Sequence, residues 1–430
     1  MDGENLNKTN GTGVASTKGL TGLVLIYTFS WAFAALDRLI IAFMLPFIMP
    51  YFGMNYAQAG LLMSLMAIGL LVCALIFGPL SDKIGRKKIT LPMLLIFSCL
   101  SCVTGLVKSI ALLFVVRTIV GGSEGAFNTA APAHISEVSP PEKRGGYIGT
   151  YLSSFAIGGA FLAPIYAMNV ASRWSWQTAC YLTIIPGVIL AILGWIFIKE
   201  SPRFVKGTPE YDAEQEAKKQ DQGKVGLIEV LKIRNVVLSL VLVAVFFVWC
   251  WSWLSYGTSY FTAEKGFDEI TSGNLMGIFG LGAFFGCLVM PRLSDRYGRK
   301  PVILITSAIS FVVVAILLFL PHGFADYAVL LFLSTFFAWG ALPLFMMVIP
   351  TESVKPGWAA SAIAIALGVG EVIGMAAQPV LGAIADASNL TNAMFVGSFG
   401  LVAGCIVCLF LKESAPAVLA RRAEKAKEQA

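Results

Sequence analysis

Leu80–Lys87 reads LSDKIGRK and Leu293–Lys300 reads LSDRYGRK, one eight-residue pattern written twice, 213 residues apart. Lys199-Glu200-Ser201 returns as Lys412-Glu413-Ser414 at the same spacing. Two unrelated echoes at one offset, close to half of a 430-residue chain, point to a duplicated unit. Each octapeptide is polar and basic, and each is flanked by apolar runs of ~20 residues or more, the length a helix needs to cross hydrocarbon.

Working outward from these two loops, twelve spans can be drawn at 20–51, 56–80, 89–107, 110–136, 146–170, 177–198, 234–263, 271–291, 301–320, 325–350, 357–385 and 391–411. The composition agrees: 57% hydrophobic and 13% charged, where a soluble domain carries about a quarter charged residues. The net charge of +6 does not point to nucleic acid, because the basic residues sit in short loops. Lys83, Arg86, Lys87, Lys88, Lys143, Arg144, Lys199, Arg203, Arg292, Arg296, Arg299, Lys300, Lys355, Arg421 and Arg422 all fall on one side of the spans. The other side holds Lys108, Arg173 and Lys265. By the positive-inside rule both termini are expected in the cytoplasm. The expected organisation is a tail (1–19), a six-helix bundle (20–198), a cytoplasmic central segment (199–233), a second six-helix bundle (234–412) and a tail (413–430). The first 18 residues, polar and rich in Gly, Asn and Thr, read as a disordered tail and not as a cleaved signal. That orientation puts the acceptor-like triplets Asn7-Lys8-Thr9 and Asn10-Gly11-Thr12 on the wrong side for glycosylation.

The eight cysteines lie inside or at the edge of apolar runs, and only two histidines, His134 and His322, are present. A metal or redox centre is therefore not expected. No nucleophile–base set or nucleotide-binding loop is visible, so the chain does not read as an enzyme.

Gly78-Pro79-Leu80-Ser81-Asp82-Lys83-Ile84-Gly85-Arg86-Lys87-Lys88 resembles the signature loop between the second and third helices of the major facilitator superfamily, repeated here between the eighth and ninth. With the twelve spans, the resemblance covers essentially the whole chain. It implies an all-α membrane fold of two parallel, pseudo-symmetric six-helix halves that transports by alternating access. It also implies a gating latch between the halves at Asp82 and Arg86, and by repetition at Asp295 and Arg299. Physically, Gly and Pro turn the chain, the basic residues set topology, and Asp82 is placed to meet a helix N-terminus. Pro132-x4-Glu137-x2-Pro140-x3-Arg144-Gly145 and Glu200-Ser201-Pro202-Arg203 resemble cytoplasmic motifs of the sugar-porter and organic-ion branches. Glu137 and Arg144, opposite charges at a helix end, are read as gate residues.

Charges inside the spans are few: Asp37 and Arg38 in the first, Arg117 and Glu124 in the fourth, Glu371 in the eleventh. A charge at mid-bilayer costs ~3 kcal/mol or more on insertion scales, so each must face a partner or a cavity. Asp37 and Arg38 lie about 100° apart on their helix and are poorly placed to pair with each other. Arg117 and Glu124, seven apart, share a face, so cross-helix pairing is expected, with both partner choices open. An Arg matches a carboxylate through two hydrogen bonds. An incoming carboxylate that takes over the Arg would free an acid to bind a proton. This constellation also resembles the anion:cation symporter branch, which includes sugar-acid and sialin-like carriers, and in part the spinster-like lipid transporters. The resemblance implies Arg117 on the substrate carboxylate, Asp37 and Glu124 carrying protons, and Arg38 adjusting them.

At the same offset of 213 the second half has Cys250, Trp251, Leu330 and Phe337 in these four places. It is expected to supply shape: Tyr256 and Tyr260 on one helical face are read as contacts for the substrate body, and Glu371 as a substrate contact or gate. The glycines of the eighth span, Gly277, Gly280, Gly282 and Gly286, read as packing. The expected function is proton-coupled symport of a small organic anion, driven by the proton gradient with no cofactor, by a monomer in the plasma membrane. A sugar porter or a spinster-type lipid or drug exporter is the alternative within transport. A transporter-derived receptor or a structural membrane protein is the alternative outside it.

Overall fold

Backbone N–H and C=O groups in hydrocarbon must be satisfied within their own segment, so each apolar run becomes a helix. The computed structural model describes residues 17–206, 208–209, 211–212, 227–320, 323–354, 359–416, 418–421 and 424. The acceptor-like triplets and nearly all of the N-terminal tail, most of the central segment, His322, Lys355 and Arg422 lie outside these. Twelve membrane-length helices are present among the described residues. The first half holds α1 (Gly19–Phe43), α2 (Tyr56–Ile84), α3 (Lys87–Thr104), α4 (Ile110–Val138), α5 (Lys143–Arg173) and α6 (Trp176–Phe197). The second holds α7 (Arg234–Glu264), α8 (Glu269–Tyr297), α9 (Arg299–Phe319), α10 (Phe324–Ser353), α11 (Gly368–Ala387) and α12 (Leu390–Leu409). The protein is a multi-pass membrane protein with two six-helix halves.

Local chemistry sets the helix ends. The expected first span, 20–51, divides at Met44 into α1 and a short helix Leu45–Phe52 with Pro46 in its first turn. Proline has no N–H to continue the ladder, which is why the chain turns there. At the start of α2, Asn55 and Gln58 form a reciprocal capping box, with Gln58 N–H donating to Asn55 Oδ1 at 2.8 Å. Ser109 caps α4 by accepting from the Leu112 N–H at 3.3 Å. Within each half the corresponding helices pack against each other: α2 on α4 in the first, α8 on α10 in the second.

The halves meet along α1–α7, α2–α11 and α5–α8. Most of the bonds across that seam lie on the side opposite the LSD(K/R)xxGRK loops. Asp386 accepts the Tyr56 and Ala57 N–H groups, each at 2.9 Å. Thr258 Oγ1 donates to the Phe43 carbonyl at 2.9 Å, and Tyr256 Oη donates to the carbonyls of Gln378 (2.8 Å) and Tyr56 (3.2 Å). Small residues permit the close approach: a methyl at Gly60 would meet the Gln378 backbone at 2.5 Å, and one at Gly280 would collide with the backbone of Ala160. Gly145, Gly146 and Gly149 at the loop-side end of α5 face open space, and Thr150 and Ser153 are exposed. The side of the two octapeptide loops is called the motif side below.

Candidate functional site

The motif side carries two copies of one ion cluster. Arg86 donates to Asp82 (2.5 Å), to Glu137 (2.8 Å) and to Ser81 Oγ (2.5 Å). Arg299 donates to Asp295 (2.6 Å), to Glu352 (2.8 Å) and to Ser294 Oγ (2.6 Å). Burial alone would lower the pKa of Arg86, but the adjoining Glu137 and Asp82 carboxylates outweigh it and hold it above the ordinary value. Glu200 Oε1 accepts the N–H groups of Arg86 (2.8 Å) and Lys87 (3.0 Å) at the start of α3. Glu413 accepts those of Arg299 (2.9 Å) and Lys300 (3.2 Å) at the start of α9. A carboxylate at a helix N-terminus satisfies free N–H groups and the helix dipole together. Gly85 (φ +116°) and Gly298 (φ +106°) are required twice over: the backbone conformation favours glycine, and a Cβ would press on Glu200 or Glu413.

One expectation changes here. Asp82 meets Arg86, and it is Glu200 that caps the helix. The ion clusters tie helices within each half, and among the described residues the contacts of Arg86 and Arg299 stay within their own halves. Arg144 is exposed and lies 3.5 Å from the Ser139 carbonyl, while Glu137 pairs with Arg86 and with Arg203 (2.9 Å). The KES echo was the signal for Glu200 and Glu413. Glu352 escaped because it stands 215 residues after Glu137, two out of register with the repeat.

At mid-membrane, α1 and α4 face each other and their charges pair across the helices. Arg38 Nε meets Glu124 Oε2 at 2.7 Å, and Arg117 Nη1 lies 3.7 Å from Asp37 Oδ2. Ser101 of α3 links the second pair: it accepts from Arg117 Nη1 at 3.1 Å and donates to the Asp37 carboxylate. Arg117 Nη2 also donates to the main-chain carbonyl of Asp37 at 3.0 Å. Arg38 reaches further, to Glu371 Oε1 of α11 at 3.3 Å, an ion pair between the halves. Its guanidinium stands over the Trp31 ring at 5.4 Å.

A cavity of about 120 Å³ adjoins this chain of charges, lined by Leu70 and Ala74 of α2, Gly125, Asn128 and Thr129 of α4, and Glu371. The Glu371 side chain is 17% exposed; those of Asp37 and Glu124 are 0%. Arg117 and Arg38, both expected to bind substrate, are buried and neither lines the cavity; Arg38 approaches it through its contact with Glu371. Tyr256 is a seam residue bonded to Gln378 and Tyr56, and Tyr260 packs on Trp253 and Phe261; neither lines the cavity. The remaining aromatics of α7 are core, with Trp249 and Trp253 each 6.1 Å from Phe279. As expected, Gly277, Gly280, Gly282 and Gly286 pack against neighbouring helices, and Gly370 and Gly374 bring α11 onto α7. Asn128, Thr129 and Ser101 were not anticipated; uncharged residues inside a span carry no insertion cost large enough to single them out.

The family profile described as Major Facilitator Superfamily matches residues 27–366. The chain is 26% identical over 381 residues to a probable 4-methylmuconolactone transporter of Cupriavidus pinatubonensis (strain JMP 134 / LMG 1197), covering 87% of this chain and 85% of that one. It is 26% identical over 266 residues to a hexuronate transporter of Bacillus subtilis, a match spanning 62% of each chain, under two thirds of that relative. Among solved structures, a bacterial homolog of the human lysosomal transporter Spinster, in inward-facing and unoccupied conformation, has a TM-score of 0.72 at 18% identity. That match covers 92% of this chain and 96% of the other, and the likeness is one of fold.

Proposed function

Since this chain belongs to the Major Facilitator Superfamily, we propose that it is a proton-coupled symporter of a small organic anion, with sugar acids as the first candidates. The observation that carries the reading is the crossed pairing of Asp37 with Arg117 and of Arg38 with Glu124, with the second pair beside a cavity between the halves. In this reading Arg38 receives the substrate carboxylate from the cavity. Glu124, displaced from Arg38, takes a proton, because an unpaired ionised carboxylate in a water-poor site is strongly disfavoured. Arg117 and Asp37, joined through Ser101, hold α1 on α4 and transmit the exchange. The motif side is the cytoplasmic side, both termini lie there, and the protein works as a monomer in the plasma membrane. The conformation described is then the one open to the cytoplasm. The bonds of Asp386 and Tyr256 close the opposite face, and the Arg86 and Arg299 clusters keep each half rigid as it rocks. The curated relative called a hexuronate transporter supports an anionic sugar derivative as cargo.

Two measurements test this. A thermal-shift screen of sugar acids, other carboxylates and neutral sugars should show stabilisation by carboxylates, since a ligand bound to the folded state raises apparent stability. Uptake of the stabilising compound into liposomes should rise when the outside is made acid. Stabilisation by neutral sugars alone, or uptake indifferent to a pH gradient, would reject the reading.

A further inference from the structure

Three carboxylates and two guanidiniums share the mid-membrane site: Asp37, Glu124 and Glu371 against Arg38 and Arg117. The first half is balanced by itself, two against two. Glu371 arrives from the second half and leaves one negative charge without a match when all are ionised, because Arg38 is shared between Glu124 at 2.7 Å and Glu371 at 3.3 Å. Glu371 is also the acid of the three that the cavity reaches. Arg38 faces it from α1; Asn128 and Thr129 of α4 line the same cavity, α2 contributes apolar side chains, and Cys250 is the titratable neighbour on α7. Arg38 is its cationic partner, and that guanidinium is already committed to Glu124.

A monocarboxylate entering such a site would bring the surplus to two negative charges in a low-dielectric environment, which the protein must neutralise to close around its cargo. We infer that Glu371 carries a second proton, so that transport couples two protons to each monocarboxylate and moves one net positive charge per cycle. This rests on the proton-coupled anion reading above. The balance is simple: as the substrate takes over Arg38 from both acids, one proton from the entry side neutralises Glu124 and a second neutralises Glu371, and both leave with the substrate on the exit side. In Glu371→Gln the surplus disappears, and one proton per anion suffices.

The test uses the full chain in liposomes, with valinomycin and potassium gradients setting the membrane potential and with labelled D-glucuronate, D-galacturonate and D-gluconate as probes. For the wild type, an inside-negative potential should raise uptake several-fold, and the gradient that nulls net flux should correspond to two protons per anion. Uptake by E371Q should follow the pH gradient, ignore the potential and null at one proton per anion. E371D, which keeps the charge, should retain the two-proton ratio. If the wild type responds to pH but not to potential, proton symport stands and the second proton is refuted. If E371Q stays electrogenic at two to one, Glu371 is not its carrier. Should E371Q fail to fold, the wild-type null ratio still decides the stoichiometry. If none of the probes is taken up under a pH gradient, the underlying anion reading fails and this inference with it.

Discussion

The two halves are near copies at the motif side and strangers at mid-membrane. Arg86 with Asp82 and Glu137 is matched by Arg299 with Asp295 and Glu352, and the Glu200 cap by the Glu413 cap. Halfway through the bilayer, Asp37, Arg38, Arg117 and Glu124 stand opposite Cys250, Trp251, Leu330 and Phe337 in the repeat. What stayed the same is what any half needs to be a rigid body: capped helix ends and satisfied charges near the interface. What diverged is the charge itself: four ionisable residues on the first half's wall, against Glu371 among packing residues on the second half's wall.

The largest difference between the halves is expected when the same repeat position is substituted in each. Arg38→Ala strands Glu124 in a dry site, and losing one partner of a buried pair typically costs ~3–5 kcal/mol; transport should fall at least ~100-fold by the rate equivalent of a few kcal/mol. Trp251→Phe, at the corresponding place, shrinks a buried ring and should cost ~1–3 kcal/mol through the space it leaves, with transport retained. Uptake and thermal melts of the two variants decide it, and equal losses would refute the division of labour.

The motif side should answer in the opposite way, with paired effects. Arg86→Ala and Arg299→Ala each leave a cluster of carboxylates without its central cation and should each lower stability by ~2–3 kcal/mol, the cost of unpaired buried polar groups. Arg299→Ala should be the worse of the two. Glu137 keeps Arg203 at 2.9 Å, whereas Glu352 keeps the Ser414 hydroxyl at 2.7 Å and the repeat places Pro416 where Arg203 stands. Melting temperatures in detergent give the order.

Gly85→Ala and Gly298→Ala sharpen the same point at a smaller scale, with ~1–3 kcal/mol expected from strained backbone at positive φ. The two values should agree within error, because both sites combine the φ with a carboxylate at the vacant Cβ position. Smallest is Tyr256→Phe, which removes a neutral hydrogen bond across the seam worth ~0.5–1.5 kcal/mol. The fold should hold while the opposite face opens more often. Faster thiol labelling of a cysteine at Ser64, buried in that seam, in a background without native cysteines would report it. Unchanged labelling would remove Tyr256 from the closure.

Much was legible from residues alone, and the reasons differ by element. The twelve helices could be read because insertion depends on the composition of each segment, a local property. The ion clusters at Arg86 and Arg299 could be located because the motif repeats, yet their partners could not. Glu352 is out of register, and Arg144, close to Glu137 in sequence, points elsewhere. Tyr256 and Tyr260 were read as one helical face, but only the docking of α7 reveals that Tyr256 lies in the seam and Tyr260 in the packing of the second half, neither of them at the cavity.

From the chain by itself came the membrane class, the duplication, and the rule that intramembrane charges must pair between helices, because the energy of putting charge in hydrocarbon is large enough to be read from single residues. Which Arg takes which acid, that Glu371 crosses from the other half to join them, and which of these groups the cavity reaches were decided by tertiary structure. These depend on distances of a few ångströms between helices far apart in sequence, and helical period carries no information about that docking.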